Sequence, residues 1–315
     1  MIKMINIVHK ILNKVLHYGK PLKFEEEKHV SNSAYKVFYI IRRNPPGAGF
    51  FSNYFYVLSH IIYSLQNNWI PVIDMMNYGT LYSEKDPINT TCNAWEYYFN
   101  QPTQFSIDDA YSSNNYILSS GNYFNEMGVP VFSINKGHIT SQMVTNLTPV
   151  IEKYITIKME ILQEVQKFVS DLFITDRIVG VHIRGTDMNK KKAEHTLPPQ
   201  WNRVMEAVDN YLRKNSHAKI FLCTDEEIAI EEFRQIYGEK LIYKQAFRSK
   251  NSEDSNQGIH FQKNERKYHS FNMGREVLAD ALILSQCSSL ICGISNVSSA
   301  AILFNKGIYE EIMIL

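Results

Sequence analysis

Charge of one sign is not in excess here. Thirty-three Lys and Arg stand against 32 Asp and Glu, for a formal net charge of +1. That balance provides no broad positive field to gather nucleic acid through its phosphates, so any phosphate site must be local. Cysteine is scarce, and Cys92, Cys223, Cys287 and Cys292 lack the close pairs of a zinc site or a disulfide framework. Four reduced, buried thiols are expected. No apolar run reaches the roughly 20 residues needed to span a bilayer. The N-terminus shows no uninterrupted apolar stretch with a small-residue cleavage site, so a cytoplasmic location is expected. There the Asn-x-Ser/Thr triplets at Asn89, Asn146 and Asn296 would carry no glycan. Gly47-Ala48-Gly49 lacks the Lys-Ser/Thr ending of a phosphate loop, and no Gly-x-Gly-x-x-Gly follows a strand. P-loop kinases and dinucleotide dehydrogenases are thereby set aside.

What the chain does have is apolar material, with 44% hydrophobic residues that include 19 Tyr and 17 Phe in 315 residues. That suffices for two cores, and a domain junction is expected after residue 175: an N-terminal acceptor-side domain 1–175 and a C-terminal domain 176–315. Ile2, Ile5, Val8, Ile11, Leu12, Val15 and Leu16 form a helical stripe with Lys3, Lys10 and Lys14 between them. Docking on the protein's own core is the favoured reading. The alternative is peripheral contact of residues 2–16 with the inner face of a membrane.

Strand Val37–Ile41, the turn 42–49, helix Phe50–Gln66 and strand Trp69–Asp74 spell a strand–helix–strand unit, hence a parallel sheet. Residues 75–135 read as long loops and short helices, and Thr148–Phe173 as one long helix. The second half alternates again: strands 178–183, 219–223, 240–243 and 290–293, helices 201–214, 226–237, 274–284 and 298–304, with 248–267 as a mobile surface loop.

Ligands of open α/β sheets bind outside the carboxyl ends of the strands, which directs attention to three such ends. The first is Val181-His182-Ile183-Arg184-Gly185-Thr186-Asp187. Arg184 offers a planar fork of donors suited to a diphosphate, and Gly185 allows close backbone approach. Thr186 and Asp187 can fix the turn or a sugar; an ordinary turn with an Arg–Asp surface pair is the alternative. The second is Cys223-Thr224-Asp225-Glu226, where Thr224 or Asp225 is either a ligand contact or a plain helix cap. The third, Gly293-Ile294-Ser295-Asn296-Val297-Ser298, opens a helix, so its backbone N–H groups with the hydroxyls of Ser295 and Ser298 make a metal-free anion cradle. Upstream, Asp280 is a lone carboxylate on a mostly apolar helix. It fits the N1–H and N2–H₂ edge of guanine, or else a solvated helix face.

Taken in order, the blocks 182–187, 222–225 and 280–298 resemble the α1,6-fucosyltransferase and nodulation-fucosyltransferase group, and more distantly the protein O-fucosyltransferases. The resemblance covers residues 177–304. It implies a GT-B fold of two Rossmann-like α/β domains with parallel sheets facing across a cleft. It further implies a GDP-fucose donor on the C-terminal domain, inversion at the anomeric carbon and no metal or other cofactor. Arg184 would then hold the diphosphate, His182 and Asp280 would lie near guanine, and Thr224, Asp225, Ser295, Asn296 and Ser298 would complete the donor pocket. Gly47–Asn53 followed by Pro71–Asp74 is similar to the N-terminal Gly-rich turn of related bacterial enzymes. Two positions depart from the pattern: Gly185 stands where a second arginine is usual, and Ala300-Ala301 where an arginine often follows the serines.

Inverting transfer needs a base for the acceptor proton and positive charge for the departing nucleotide. The catalytic candidates are Arg184, Glu194 and Asp187, with Glu194 the base and His195 its alternative. The expected partners are a GDP-sugar and a carbohydrate acceptor. Another GDP-sugar such as a mannose or heptose donor, and a non-catalytic carbohydrate-binding protein of the same fold, are the competing readings. Trp95, Tyr97 and Tyr98 are expected to pack rather than stack on sugars.

Overall fold

The computed structural model describes residues 26–31, 36–120, 139–173, 177–185, 201–250, 259, 262 and 264–315. The apolar stripe 2–16 lies outside them. The chain divides into two compact units: Met1–Phe132, Pro149–Lys158 and Arg266–Gly274 form one, and Ser133–Thr148, Met159–Glu265 and Arg275–Leu315 the other. The division is therefore not a single cut near residue 175, because the chain passes between the units within the helices Ser141–Tyr154 and His269–Leu284.

In the first unit, β1 (Glu27–Val30), β2 (Phe38–Ile41), α1 (Phe50–Gln66), β3 (Ile70–Ile73), α2 (Ile107–Ser112) and β4 (Asn115–Leu118) follow in that order. The sheet runs β1-β4-β2-β3, with β2 parallel to both β3 and β4, and β1 antiparallel on β4. The parallel β2–β3 pair requires a crossover, which α1 supplies. Asn53 fixes the turn before α1: its amide accepts from Ala48 N–H at 3.1 Å and donates to Ala48 C=O at 3.0 Å. Gly47 there has φ +77°, a conformation a side chain resists. Strand β4 falls in the stretch expected to hold only loops and short helices, whereas Trp95, Tyr97 and Tyr98 are buried, the Trp95 ring stacked 4.3 Å from Phe99.

The outer edge of this sheet is β3. Ile70 and Asp74 donate inward to Val37 and Ile41 carbonyls, so the intervening odd positions face out. Pro71 has no N–H to present there. Gln101 takes the N–H of Ile73 at 2.8 Å and donates back to the Ile73 carbonyl at 2.8 Å.

The expected long helix at 148–173 is two helices, α3 (Ser141–Tyr154) and α4 (Met159–Leu172). Between them Ile155-Thr156-Ile157 is a β-branched run that favours extended backbone. Ile157 forms a bridge with Phe99, and Asn100 N–H donates to Thr156 C=O at 2.9 Å.

The second unit holds β5 (Ile178–Ile183), α5 (Trp201–Lys214), β6 (Lys219–Thr224), α6 (Glu227–Tyr237), β7 (Leu241–Ile242), the latter part of α7 (His269–Leu284), β8 (Ser289–Cys292), α8 (Asn296–Phe304) and β9 (Glu311–Ile314). Its sheet is wholly parallel in the order β7-β6-β5-β8-β9. Every residue of β5 is buried, as expected of a strand covered on both faces. Val179, Val181 and Ile183 alternate onto one face with Val204, Val208, Ile230 and Phe233 of α5 and α6. Gly180 and His182 take the other face, where Gly180 meets Leu284 and Cys287. The chain moves outward from β5 through β6 to β7, then returns to β8 on the opposite side of β5, a topological switch point beside the central strand.

Cys223, Cys287 and Cys292 are buried and free, but Cys92 is exposed, contrary to expectation. No helix among the described residues is long and apolar enough to cross a membrane.

A Cβ at Gly180 would lie 2.9 Å from Leu284 Cδ2 and 3.1 Å from Cys287 Sγ, both in the core. Gly180→Ala is expected to destabilise the protein by about 1–3 kcal/mol through overpacking. An unchanged urea midpoint for that variant would contradict the close approach.

Candidate functional site

The switch point brings the ends of β5, β6 and β8 together within the second unit. His182, on the inner face of β5, is 5% exposed, and its Nδ1 lies 3.1 Å from Ser298 Oγ and 3.3 Å from Ser295 Oγ. Ser295 caps α8, its Oγ accepting from Ser298 N–H at 3.0 Å, and the two hydroxyls are 2.7 Å apart. Ser298 gives its own proton to Gly293 C=O at 2.7 Å. By the shortest contacts, Ser295 then donates to Ser298, and His182 Nδ1–H also donates to Ser298. This leaves Nε2 an acceptor. Burial, and next the neighbouring Arg184 cation, lower the imidazole pKa to about 3, so the ring is neutral. The serine hydroxyls thus orient a histidine as well as opening a helix. Asn296, the first residue of α8, has a buried side-chain oxygen with no hydrogen-bond partner among the described residues.

Arg184 follows β5 directly and is half-buried. Gly185 donates its N–H to Asp225 Oδ1 at 2.9 Å, which ties the end of β5 to the end of β6. A Cβ at Gly185 would run into the Glu226 carboxylate. The room left by the missing side chain is therefore taken by an acidic group that sequence reading did not single out. Glu226 is half-buried, and its carboxyl is raised above the usual range by desolvation, then by Asp225 and Glu232. Thr224 is buried and accepts from Glu226 N–H at 3.2 Å, as a turn-forming residue does.

Asp280 is not on a solvated helix face. It is 7% exposed on α7 and accepts from the Cys223 thiol, Sγ to Oδ2 3.6 Å. Burial pushes its pKa up to about 6, against the lowering effects of Arg248 and Lys244. Arg248 and Ser249, expected at the start of a mobile surface loop, are instead buried. Ser249 N–H donates to Asp225 C=O at 2.9 Å, and Glu227 N–H to Ser249 C=O at 2.9 Å. No local pattern in a polar segment could have signalled this seat against the end of β6.

His182, Arg184, Gly185, Thr224, Asp225, Ser295, Asn296 and Ser298 thus sit at or beside the ends of three adjacent strands, with Asp280 joined to β6 through Cys223. Thr186, Asp187, Glu194 and His195 lie outside the described residues.

No family model matches the chain, and no curated protein matches it. Solved structures do. A NodZ alpha-1,6-fucosyltransferase soaked with GDP-fucose aligns at TM-score 0.50 and 16% identity, over 85% of this chain and 93% of that one. FUT1 of Arabidopsis thaliana, as a point mutant in complex with GDP, aligns at TM-score 0.50 and 12% identity, over 94% of this chain and 72% of that one. At such identities the likeness is one of fold: the chain has the α/β architecture of GT-B fucosyltransferases.

The Glu226 carboxylate ends a flexible side chain that can swing aside. Gly185→Ala is therefore expected to lower the melting temperature by only about 2 °C, the equivalent of about 1 kcal/mol in a chain of this size. In a Glu226→Ala background the same change should cost nothing measurable, because the two positions compete for one space. Equal losses in both backgrounds would show that something other than Glu226 fills it.

Proposed function

We propose that this protein is an inverting, metal-independent glycosyltransferase that moves fucose from GDP-fucose onto a glycan acceptor, a polysaccharide, lipopolysaccharide or glycolipid. The observation that carries the reading is the convergence of Arg184, neutral His182, Asp225 and the start of α8 at the switch point of a parallel sheet. The fold is shared with fucosyltransferases solved with GDP or GDP-fucose. The alignments support GDP as the nucleotide, and Asp280 is a buried carboxylate of the kind that accepts paired hydrogen bonds from guanine.

In this reading an acceptor hydroxyl attacks the anomeric carbon of fucose from the side opposite the nucleotide. The new glycosidic bond forms as the bond to the diphosphate oxygen breaks. The hydroxyl proton passes to a carboxylate, for which Glu194 is the candidate, with Asp187 beside the reacting groups. The electron pair leaves on GDP, whose growing charge Arg184 neutralises. Asp225, Thr224, Ser295, Asn296 and Ser298 would line the donor, and no cofactor takes part. The N-terminal part would hold the acceptor, and the reaction would run in the cytoplasm.

A ligand that binds only the folded state raises its stability. In a thermal-shift comparison of GDP, UDP, CDP and ADP, GDP alone should stabilise the protein. Equal responses to all four, or none, would remove the reading, and a panel of GDP-fucose, GDP-mannose and a GDP-heptose then identifies the sugar. Losing a preorganised donor of this kind costs on the order of 3 kcal/mol of transition-state stabilisation. Arg184→Ala should therefore melt as the unaltered protein does and lose at least about tenfold in transfer rate. Glu194→Gln should lose as much, and full activity in either variant would discard that residue's role.

A further inference from the structure

Two opposite charges, Arg248 and Asp280, are buried in the second unit with no ion pair to either among the described residues. Arg248 is 5% exposed, and its guanidinium donates to three neutral carbonyls: Nε to Thr224 at 3.2 Å, Nη1 to Ala246 at 3.4 Å and Nη2 to Lys244 at 2.5 Å. It also lies 5.7 Å from the centre of the Tyr243 ring. Asp280 has the Cys223 thiol as its hydrogen-bond partner, and Cys223 precedes Thr224 on β6. The guanidinium is therefore anchored to the residue next to the one that holds the carboxylate. A buried charge is normally paired or neutralised, because the isolated charged form is costly away from water.

The segment that carries Arg248 is itself fastened on several sides. Lys244 Nζ is 2.9 Å from Glu164 of α4, whose other oxygen accepts from Arg275 Nε at 2.7 Å. Phe247 N–H donates to Glu276 of α7 at 3.2 Å, and Ser249 joins the end of β6 as a parallel bridge to Glu226. Such fastening does more than close a loop, since it fixes a cation whose charge acts on Asp280. The charged and titratable groups that act on Asp280 are Arg248 and Lys244 from this segment, Glu276 from its own helix and Cys223 from β6. Of the two cations Arg248 acts the more strongly, and Lys244 is shared with Glu164. Glu276 opposes them.

We propose that Arg248 is a positioning residue that keeps the Asp280 carboxylate ionised, and so able to accept from the N–H edge of the nucleotide's base. The inference deepens the transferase reading and rests on it. An ionised Asp280 accepts from both N1–H and N2–H₂ of guanine; a protonated one has lost an acceptor and turns a donor toward a donor edge. Base selection is then a property of the pair, although only one member would touch the base.

The linkage has a definite sign. Asp280 titrates near 6 in the folded protein, so GDP affinity should be full above that pH and fall as pH drops through it. In Arg248→Gln the charge is gone, while an amide remains to bond the Thr224 carbonyl. The midpoint of GDP binding against pH should move up by about one unit. Arg248→Lys retains the charge and should leave the midpoint near that of the unaltered protein. Asp280→Asn should abolish the transition. A purely structural role for Arg248 would weaken GDP binding equally at every pH.

A ligand-free measurement accompanies this one. A carboxyl whose folded pKa is raised contributes stability below its unfolded pKa, about 4, and loses it as pH rises through the folded value. The melting temperature of the unaltered protein relative to Asp280→Asn should therefore decline between about pH 4 and pH 6, and in Arg248→Gln the decline should extend further upward. Arg248→Met serves as the uncharged variant should Arg248→Gln fail to fold. Failure of the unaltered protein to bind any guanine nucleotide would sink the transferase reading and the base-reading role with it. GDP binding whose midpoint is unmoved in Arg248→Gln or Arg248→Met would overturn this inference alone.

Discussion

The second unit depends on a parallel strand with nowhere to put a polar group except its end. β5 is buried along its whole length, with α5 and α6 against one face and α7 against the other. Its backbone hydrogen bonds are taken up by β6 and β8. Burial at this density requires a glycine at 180, because Leu284 and Cys287 approach the backbone there. It also forces polar side chains outward, to the point where the chain leaves the sheet and the strand order reverses.

The charges that the fold does admit are handled in different ways. His182 is kept neutral and its ring is oriented by two serines. Asp280 is pushed up to about 6 by desolvation, with the nearby Arg248 and Lys244 cations opposing the rise. In the first unit, Asp74 is wholly buried, and its carboxylate accepts from Asn77, Tyr111 and the backbone of Met76 and Asn77. Burial still raises its pKa, but the hydrogen bonds oppose the rise. An acid wrapped in donors is a structural device. Asp280, with a single thiol as hydrogen-bond donor among the described residues, is more open to a newcomer.

Much of this architecture was legible in the residues. The boundaries Phe50–Gln66, Ile178–Ile183 and Trp201–Lys214 follow from helical and strand periodicity alone, because those segments bury one stripe or both faces of a strand. The three strand ends were visible as small and polar residues after apolar runs. The short strands β1, β4 and β9 were not, since four residues such as Asn115–Leu118 carry too little pattern to stand out from an Asn- and Tyr-rich stretch. The break between α3 and α4 was signalled by Ile155-Thr156-Ile157 but overshadowed by a helical stripe that continues on both sides. Arg248 and Glu226 were beyond reach for another reason: each owes its place to a strand end brought close by tertiary folding, so neighbours in sequence say nothing of it.

The rim of the first sheet at β3 has a consequence of its own. Proline denies a donor at one outward position, and the Gln101 amide answers both backbone groups of Ile73, so the row that a foreign strand would zip onto is already spoken for. Self-association by sheet extension is thus barred along that border, and fibril-like stacking there would first have to dislodge a glutamine from inside its own chain.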